Sequence, residues 1–241
     1  MTTNDTPPDA TISPAVDEDH DEDLDDEQAE ALTRDSRAPR DLLPYFQTLG
    51  DLPPAPLNPA DLFPVSQPLE VEIGSGRGLF LVNAGLNCPT INFLGVEYDF
   101  KEGRRAARRF QKRNFNNVRL LGADARIVMR DYLQTGSAQA IHVYFPDPWW
   151  KRRHKKRRIY SEEFLVQAAR ILHPQGLLHA WTDVEEYFQV MLALTAKNPE
   201  FIPLPAPAER SATHDMDYHT SFERKKRKLG LPIYRARWQR R

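Results

Sequence analysis

From Leu69 onward the chain alternates short apolar runs with amphipathic ones, joined by turns of a few residues, and this alternation limits the fold more than any other feature. Leu69-Glu70-Val71-Glu72-Ile73 reads as a buried strand, and the turn Gly74-Ser75-Gly76-Arg77-Gly78 opens a helical run reaching about Asn87. A strand over Ile91 to Glu97, a helix over Phe100 to Arg113, a strand over Val118 to Leu121 and a helix over Ala125 to Leu133 follow. Ala140 to Phe145 is an apolar strand stopped by Pro146-Asp147-Pro148, and Ser161 caps a helix to Leu172 with Glu162 and Glu163 in its first turn. Leu177 to Trp181 is a fifth strand and Asp183 to Ala196 a helix; the residues around Phe201 and from Ile233 to Trp238 supply the last two strands. Parallel neighbours need right-handed crossovers, so the expected fold is α/β: a doubly wound, mostly parallel, seven-stranded sheet with an antiparallel C-terminal edge.

Upstream of Leu69 the chain changes character twice. Residues 1–35 hold thirteen acidic side chains and one basic, whereas the remainder has 32 basic against 21 acidic. The first 36 residues, almost free of large apolar groups, are expected to be a disordered acidic tail. Residues 37–68 are punctuated by eight prolines and suit an extended lead-in over the surface of the domain at 69–241. A basic body behind an acidic tail favours a polyanion as partner, nucleic acid first and an anionic membrane surface second. Cys88 is the lone cysteine, so neither a disulfide within the chain nor a cysteine-based zinc site is possible. No apolar run approaches the roughly 18 residues of a membrane span, and the N-terminus lacks the features of a signal peptide. The expectation is a cytoplasmic protein with no membrane or metal partner; monomer and homodimer both stay open.

Open parallel sheets bind ligands beyond the carboxyl ends of their strands, which directs attention to the glycine turn, Glu97, Asp124, Asp147 and Asp183. Gly74, Gly76 and Gly78 let the backbone turn tightly and approach a ligand. The dinucleotide fingerprint wants its third glycine one position later, where Leu79 stands. Glu97, at the end of the second strand, is placed to accept both hydroxyls of a ribose, which nicotinamide dinucleotides and S-adenosylmethionine share. Asp124 is placed to accept from an adenine amino group. Glu72 is an unusual carboxylate in an apolar strand: a cationic methionine end would explain it, a pyrophosphate would be repelled, and a structurally satisfied acid is the plain alternative.

Phe145-Pro146-Asp147-Pro148-Trp149-Trp150-Lys151-Arg152-Arg153-His154-Lys155-Lys156-Arg157-Arg158 closely resembles the signature of the tRNA (guanine-N7)-methyltransferases. Val71-Glu72-Ile73-Gly74-x-Gly76-x-Gly78, Gly95-Val96-Glu97, Asp124-Ala125, Thr182-Asp183 with Tyr187, and Thr220-x-Phe222-Glu223 fall in the family's order, so the resemblance spans roughly residues 69 to 240. It implies a Rossmann-like class I methyltransferase fold, S-adenosyl-L-methionine as cofactor and methylation of a tRNA guanine, usually position 46 in the variable loop. By the same carry-over, Glu72, Gly74, Gly76, Gly78, Glu97, Asp124, Ala125 and Asp147 meet the cofactor. Lys151, Asp183, Thr220, Ser221, Phe222 and Glu223 meet the guanine or its nucleotide. The acidic tail and the proline-rich lead-in depart from the family core, and Arg224-Lys225-Lys226 stands where a less charged, often glycine-containing stretch is usual.

The chemistry suits these residues. Guanine N7 carries an in-plane lone pair and no proton at neutral pH, so no general base is needed and positioning dominates. Asp147, fixed between two prolines, is the expected organiser, accepting from guanine N1–H and N2–H or from the methionine amine. Seven cations within Lys151 to Arg158 suit phosphate contacts beside the target nucleotide, and the C-terminal cations extend that surface.

Overall fold

The computed structural model describes residues 41–149, 153, 157–208, 218 and 220–241, so the acidic tail lies outside the described residues. Eight strands form one sheet: β1 (Phe46–Thr48), β2 (Leu69–Ile73), β3 (Asn92–Glu97), β4 (Val118–Gly122), β5 (Ala138–Tyr144), β6 (Leu172–Thr182), β7 (Phe201–Leu204) and β8 (Tyr234–Arg240). Their order is β1-β4-β3-β2-β5-β6-β8-β7. Pairing is parallel from β1 through β6, and β8 runs antiparallel to both β6 and β7. Sequence order runs one way from β2 to β4 and then restarts at β5 on the other side of β2. That reversal is where a doubly wound sheet opens a crevice for ligands.

The helices are α1 (Leu79–Asn87), α2 (Phe100–Lys112), α3 (Ala125–Ile127), α4 (Glu162–Ile171), α5 (Glu185–Ala196) and α6 (Ser221–Lys228). Strand side chains alternate between the two faces, and each face has its own core. Val71, Ile73, Leu94, Val96, Ile141, Val143, Leu178 and Ala180 pack with Phe164 and Leu165 of α4 and Tyr187 and Met191 of α5. Phe93, Val118, Leu120, Tyr144 and Trp181 pack with Phe80 and Leu81 of α1 and Ala106 and Phe110 of α2. Complete burial of such side chains contributes about 1.5–3 kcal/mol each, which fixes the strand register on both faces.

Three local features differ from expectation. First, the proline-rich lead-in adds an eighth strand rather than merely crossing the surface. Phe46 of β1 is buried with the α1/α2 core, while Leu57, Leu62 and Phe63 join the other core. Arg119 of β4 fastens this segment: its Nε donates to the Leu62 carbonyl at 2.9 Å, and the guanidinium lies 5.4 Å and 5.6 Å from the Tyr45 and Phe63 ring centres. Prolines spaced through a segment removed backbone donors from the sequence pattern, but the apolar residues between them still had cores to fill.

Second, the helix expected over Ala125 to Leu133 is α3 followed by a single π-helical stretch, Val128–Tyr132. The Arg170 guanidinium of α4 donates to the Met129 and Leu133 carbonyls, satisfying acceptors at this widened turn. Third, β6 begins at Leu172, directly after α4, and carries an irregularity: Leu172 is opposite Ala138 and Leu177 opposite Ala140. Residues 173–176 stand opposite Gln139 alone, a surplus of three, which is how Pro174 is tolerated within a strand.

Candidate active site

Each expected site residue described in the structure can be located relative to the carboxyl ends of the parallel strands. After β2 the backbone passes through Gly74, Gly76 and Gly78 with φ of 80°, 51° and 73°. A Cβ on Gly74 or Gly76 would meet nothing within 4 Å, so both turn their open side outward; one on Gly78 would sit 2.8 Å from Ala106 Cβ and Phe110 Cζ. Gly78 therefore serves close packing of α1 against α2, while Gly74 and Gly76 line the approach to the crevice.

Glu97 at the end of β3 is locked to this turn. Its Oε2 accepts from the Gly76 amide at 2.7 Å and its Oε1 from the Asp99 amide at 2.8 Å. Two fixed amide donors set the orientation of the carboxylate and leave further lone pairs for hydroxyl groups. Glu72 behaves differently. It is buried in β2, and its Oε2 has no hydrogen-bond partner among the described residues. Burial pushes its carboxyl up to about 8, against the opposing effect of the Ser75 hydroxyl and with the Glu97 charge adding to the rise.

After β4, Asp124 caps α3 by accepting from the Arg126 amide, and both its oxygens also receive the Arg126 guanidinium. The Arg126 hydrogen bond holds the Asp124 carboxyl below its ordinary range. An adenine amino group seeking Asp124 thus has Arg126 as competitor, which the acidic spacing did not reveal. Ala125 opens α3 beside it, half buried.

After β5 the turn holding Asp147 is flanked by two non-glycine residues of positive φ, Phe145 at 51° and Trp149 at 39°. Such backbone is costly and persists because its surroundings enforce it. Asp147 itself is exposed. Arg158 supplies part of the enforcement: Nε donates to the Pro148 carbonyl at 2.6 Å, and the guanidinium lies 4.9 Å from the centre of the Tyr187 ring. Burial pushes the Tyr187 phenol up to about 12 despite that guanidinium, with Asp147 close enough to push the same way. Arg158, expected among the phosphate-binding cations, thus braces the turn instead. Lys151 lies outside the described residues; Arg153 and Arg157 are exposed.

After β6, Asp183 pairs with Lys226, Oδ2 to Nζ at 2.7 Å. Lys226 comes from α6, whose first residue is Ser221 and whose cap is Thr220, the hydroxyl accepting from the Glu223 amide at 3.0 Å. Phe222 stacks on Phe145 with ring centres 6.1 Å apart. Glu223 points the other way. It is buried, with Oε1 3.3 Å from Arg235 Nη2 and 3.5 Å from Arg227 Nη1. Its carboxylate therefore anchors α6 to β8, and the nucleotide contact expected of it is not open in this arrangement. Lys226 was missed because a cationic run gives no hint of which member turns inward. Its spacing of four from Phe222, one helical face, was the available signal.

This arrangement matches known proteins. A family model described as "Putative methyltransferase" matches residues 66–236. The tRNA (guanine-N(7)-)-methyltransferase of Rhodopirellula baltica is 42% identical over 208 residues, covering 83% of this chain and 76% of that protein. The chain belongs to the tRNA (guanine-N7)-methyltransferases. Another member, from Saccharophagus degradans, is 34% identical over 179 residues, covering 74% and 78% of the two chains. The crystal structure of TrmN from Thermus thermophilus aligns with a TM-score of 0.52 at 18% identity, covering 73% of this chain and 45% of that one, a likeness of fold.

Membership of the tRNA (guanine-N7)-methyltransferases implies S-adenosylmethionine, and the strand ends suit it. A buried carboxyl with an unpartnered oxygen gains from a cationic neighbour, Glu97 offers a prefixed acceptor for hydroxyls, and Gly74 and Gly76 leave room for a ligand. Among the described residues no cluster of His, Cys, Asp and Glu is arranged to hold a metal ion, and no helix is long and apolar enough to cross a membrane.

Proposed function

We propose that this protein transfers the methyl group of S-adenosylmethionine to N7 of a guanine in tRNA, and that the target lies in the variable loop, at position 46. The observation that carries the reading is the buried, unpartnered Glu72 oxygen next to Glu97, in a chain whose relatives are tRNA (guanine-N7)-methyltransferases. Glu72 would receive the positive methionine end of the cofactor, Glu97 its ribose hydroxyls, and Asp124 its adenine edge after Arg126 yields. When bound, the cofactor supplies an electrophilic methyl group on a sulfonium centre.

What the chain's own residues must do is align. N7 has no proton to lose, so no side chain need act as base. Asp147, on the braced turn after β5, is suited to orient the guanine through N1–H and N2–H or to hold the methionine amine. Aligned reactants gain several kcal/mol of barrier reduction from orientation alone. Exposed Arg153 and Arg157 and the C-terminal cations suit phosphate contacts around the target, which makes binding fall steeply with salt.

The test is incubation of unmodified tRNA transcripts with cofactor labelled in its methyl group, followed by cleavage at the labile glycosidic bond of N7-methylguanosine. A single cleavage in the variable loop is the expected result. Label on another atom or another base overturns the reading; cleavage elsewhere in the tRNA overturns the assignment to position 46.

A further inference from the structure

α6 turns one edge toward the ends of β5 and β6. Phe222 and Lys226, four residues apart, share that face: the Phe222 ring lies within 18° of parallel to Phe145, and Lys226 reaches Asp183 at 2.7 Å. Phe222 is 60% exposed, and the Lys226 and Asp183 side chains retain 28% and 20% of their surface, so all three remain accessible. The helix presenting Phe222 and Lys226 is held at its start by the Thr220 cap and from beneath by buried Glu223 on Arg235. The cation of the pair is therefore placed by a packed helix, as precise recognition requires, and its partner Asp183 follows directly on the end of β6.

The geometry points to Lys226 as a base-reading residue that, together with Asp183, recognises the Watson–Crick edge of the target guanine, which leaves Asp147 the other of its two roles, holding the methionine amine. This rests on the reading above that the substrate is a guanine. An ammonium only donates and a carboxylate only accepts. Side by side they present donor, acceptor, acceptor, the complement of guanine O6, N1–H and N2–H in that order. Adenine would set its amino group against the ammonium and its unprotonated N1 against the carboxylate, leaving polar groups opposed at both places. Exposed Phe222 offers a face on which an extruded base can stack, as proteins that take bases out of a helix commonly provide. N7 lies outside the edge so engaged and stays open to methyl transfer. Lys226 falls in the stretch where this chain departs from the family pattern of the resemblance, so that resemblance assigns it no role.

The test compares wild type with Lys226→Met and Lys226→Gln on tRNA transcripts holding either guanosine or 6-thioguanosine at the target, scored as N7-methylated product. Sulfur is a weak acceptor, so the thio substrate removes the partner of Lys226 while keeping N1–H, N2–H and N7. Lys226→Met is expected to lower kcat/KM on guanosine about 10- to 100-fold, the loss of one charged hydrogen bond, and to lower it far less on 6-thioguanosine. Lys226→Gln, which keeps a neutral donor, recovers part of the loss. An equal loss on both substrates would mean that Lys226 only orients Asp183, and no loss on either would mean it plays no part; both overturn the proposal. Wild type that methylates neither transcript overturns the functional reading instead.

Discussion

Glu97 Oε2 accepts the amide proton of Gly76 at 2.7 Å, so the acid after β3 and the glycine turn after β2 form one rigid corner. Glu72 lies within electrostatic reach of that corner, and the Glu97 charge adds to the rise that burial imposes on Glu72. A carboxylate held at both oxygens beside one with an oxygen unpartnered among the described residues is the feature from which the account of the site grows.

Glu72 makes the unliganded protein pH-sensitive in a definite direction. Its folded value of about 8 lies above the ordinary 4.5, so the folded state binds its proton more tightly than the unfolded chain does. The resulting stability is fully present below about 4.5 and is lost as pH rises through about 8. Glu72→Gln should flatten this slope and stabilise the unliganded protein by about 1–3 kcal/mol at pH 7. It should also weaken binding of S-adenosylmethionine. Thermal melts from pH 5 to 9, with and without cofactor, read both effects; a variant less stable at pH 7 without cofactor contradicts the assignment.

Asp147 gives the opposite signature. The residue is exposed, so Asp147→Ala should leave stability within about 0.5 kcal/mol of wild type while lowering methyl transfer on the order of 100-fold. Circular dichroism melts and initial rates decide it, and a folded variant with near-normal turnover sinks the role.

Glu223 is assigned to structure. Glu223→Gln would remove a buried carboxylate charge from beside the half-buried Arg235 and Arg227 and should cost about 3 kcal/mol in chemical denaturation. A variant of unchanged stability but lost tRNA affinity would restore Glu223 to the binding surface.

Arg119 joins the lead-in to the sheet through the Leu62 carbonyl and the Tyr45 and Phe63 rings. Arg119→Met leaves that carbonyl and those of Phe115 and Val118 without their donor, and about 2–4 kcal/mol of destabilisation is expected. Hydrogen exchange should show the loss of protection concentrated in residues 42–68; uniform change across the sheet contradicts a local clasp.

The alternation after Leu69 was enough to read the central sheet, because strands buried on both faces carry unbroken apolar runs and each return needs a helix. β1 escaped notice: three residues, Phe46–Thr48, lie amid prolines and owe their pairing to β4 rather than to their own pattern. The places of the acids at the strand ends were legible because the strand boundaries were, and a doubly wound sheet directs attention there. What those acids touch was not. Asp124 meets Arg126, and Asp183 meets Lys226. The first pair depends on a cap geometry and the second on a helix 43 residues along the chain, neither of which spacing encodes. Glu223 was read by family likeness as a substrate contact, whereas its burial depends on Arg235 arriving from β8.

Calorimetric titration of S-adenosylmethionine into wild type and Glu97→Ala at pH 8 tests the central claim most directly. The account predicts single-site binding to wild type, weakened about 10- to 100-fold when the acid tied to Gly76 is removed. No binding to wild type, or equal affinity for the two proteins, would contradict it.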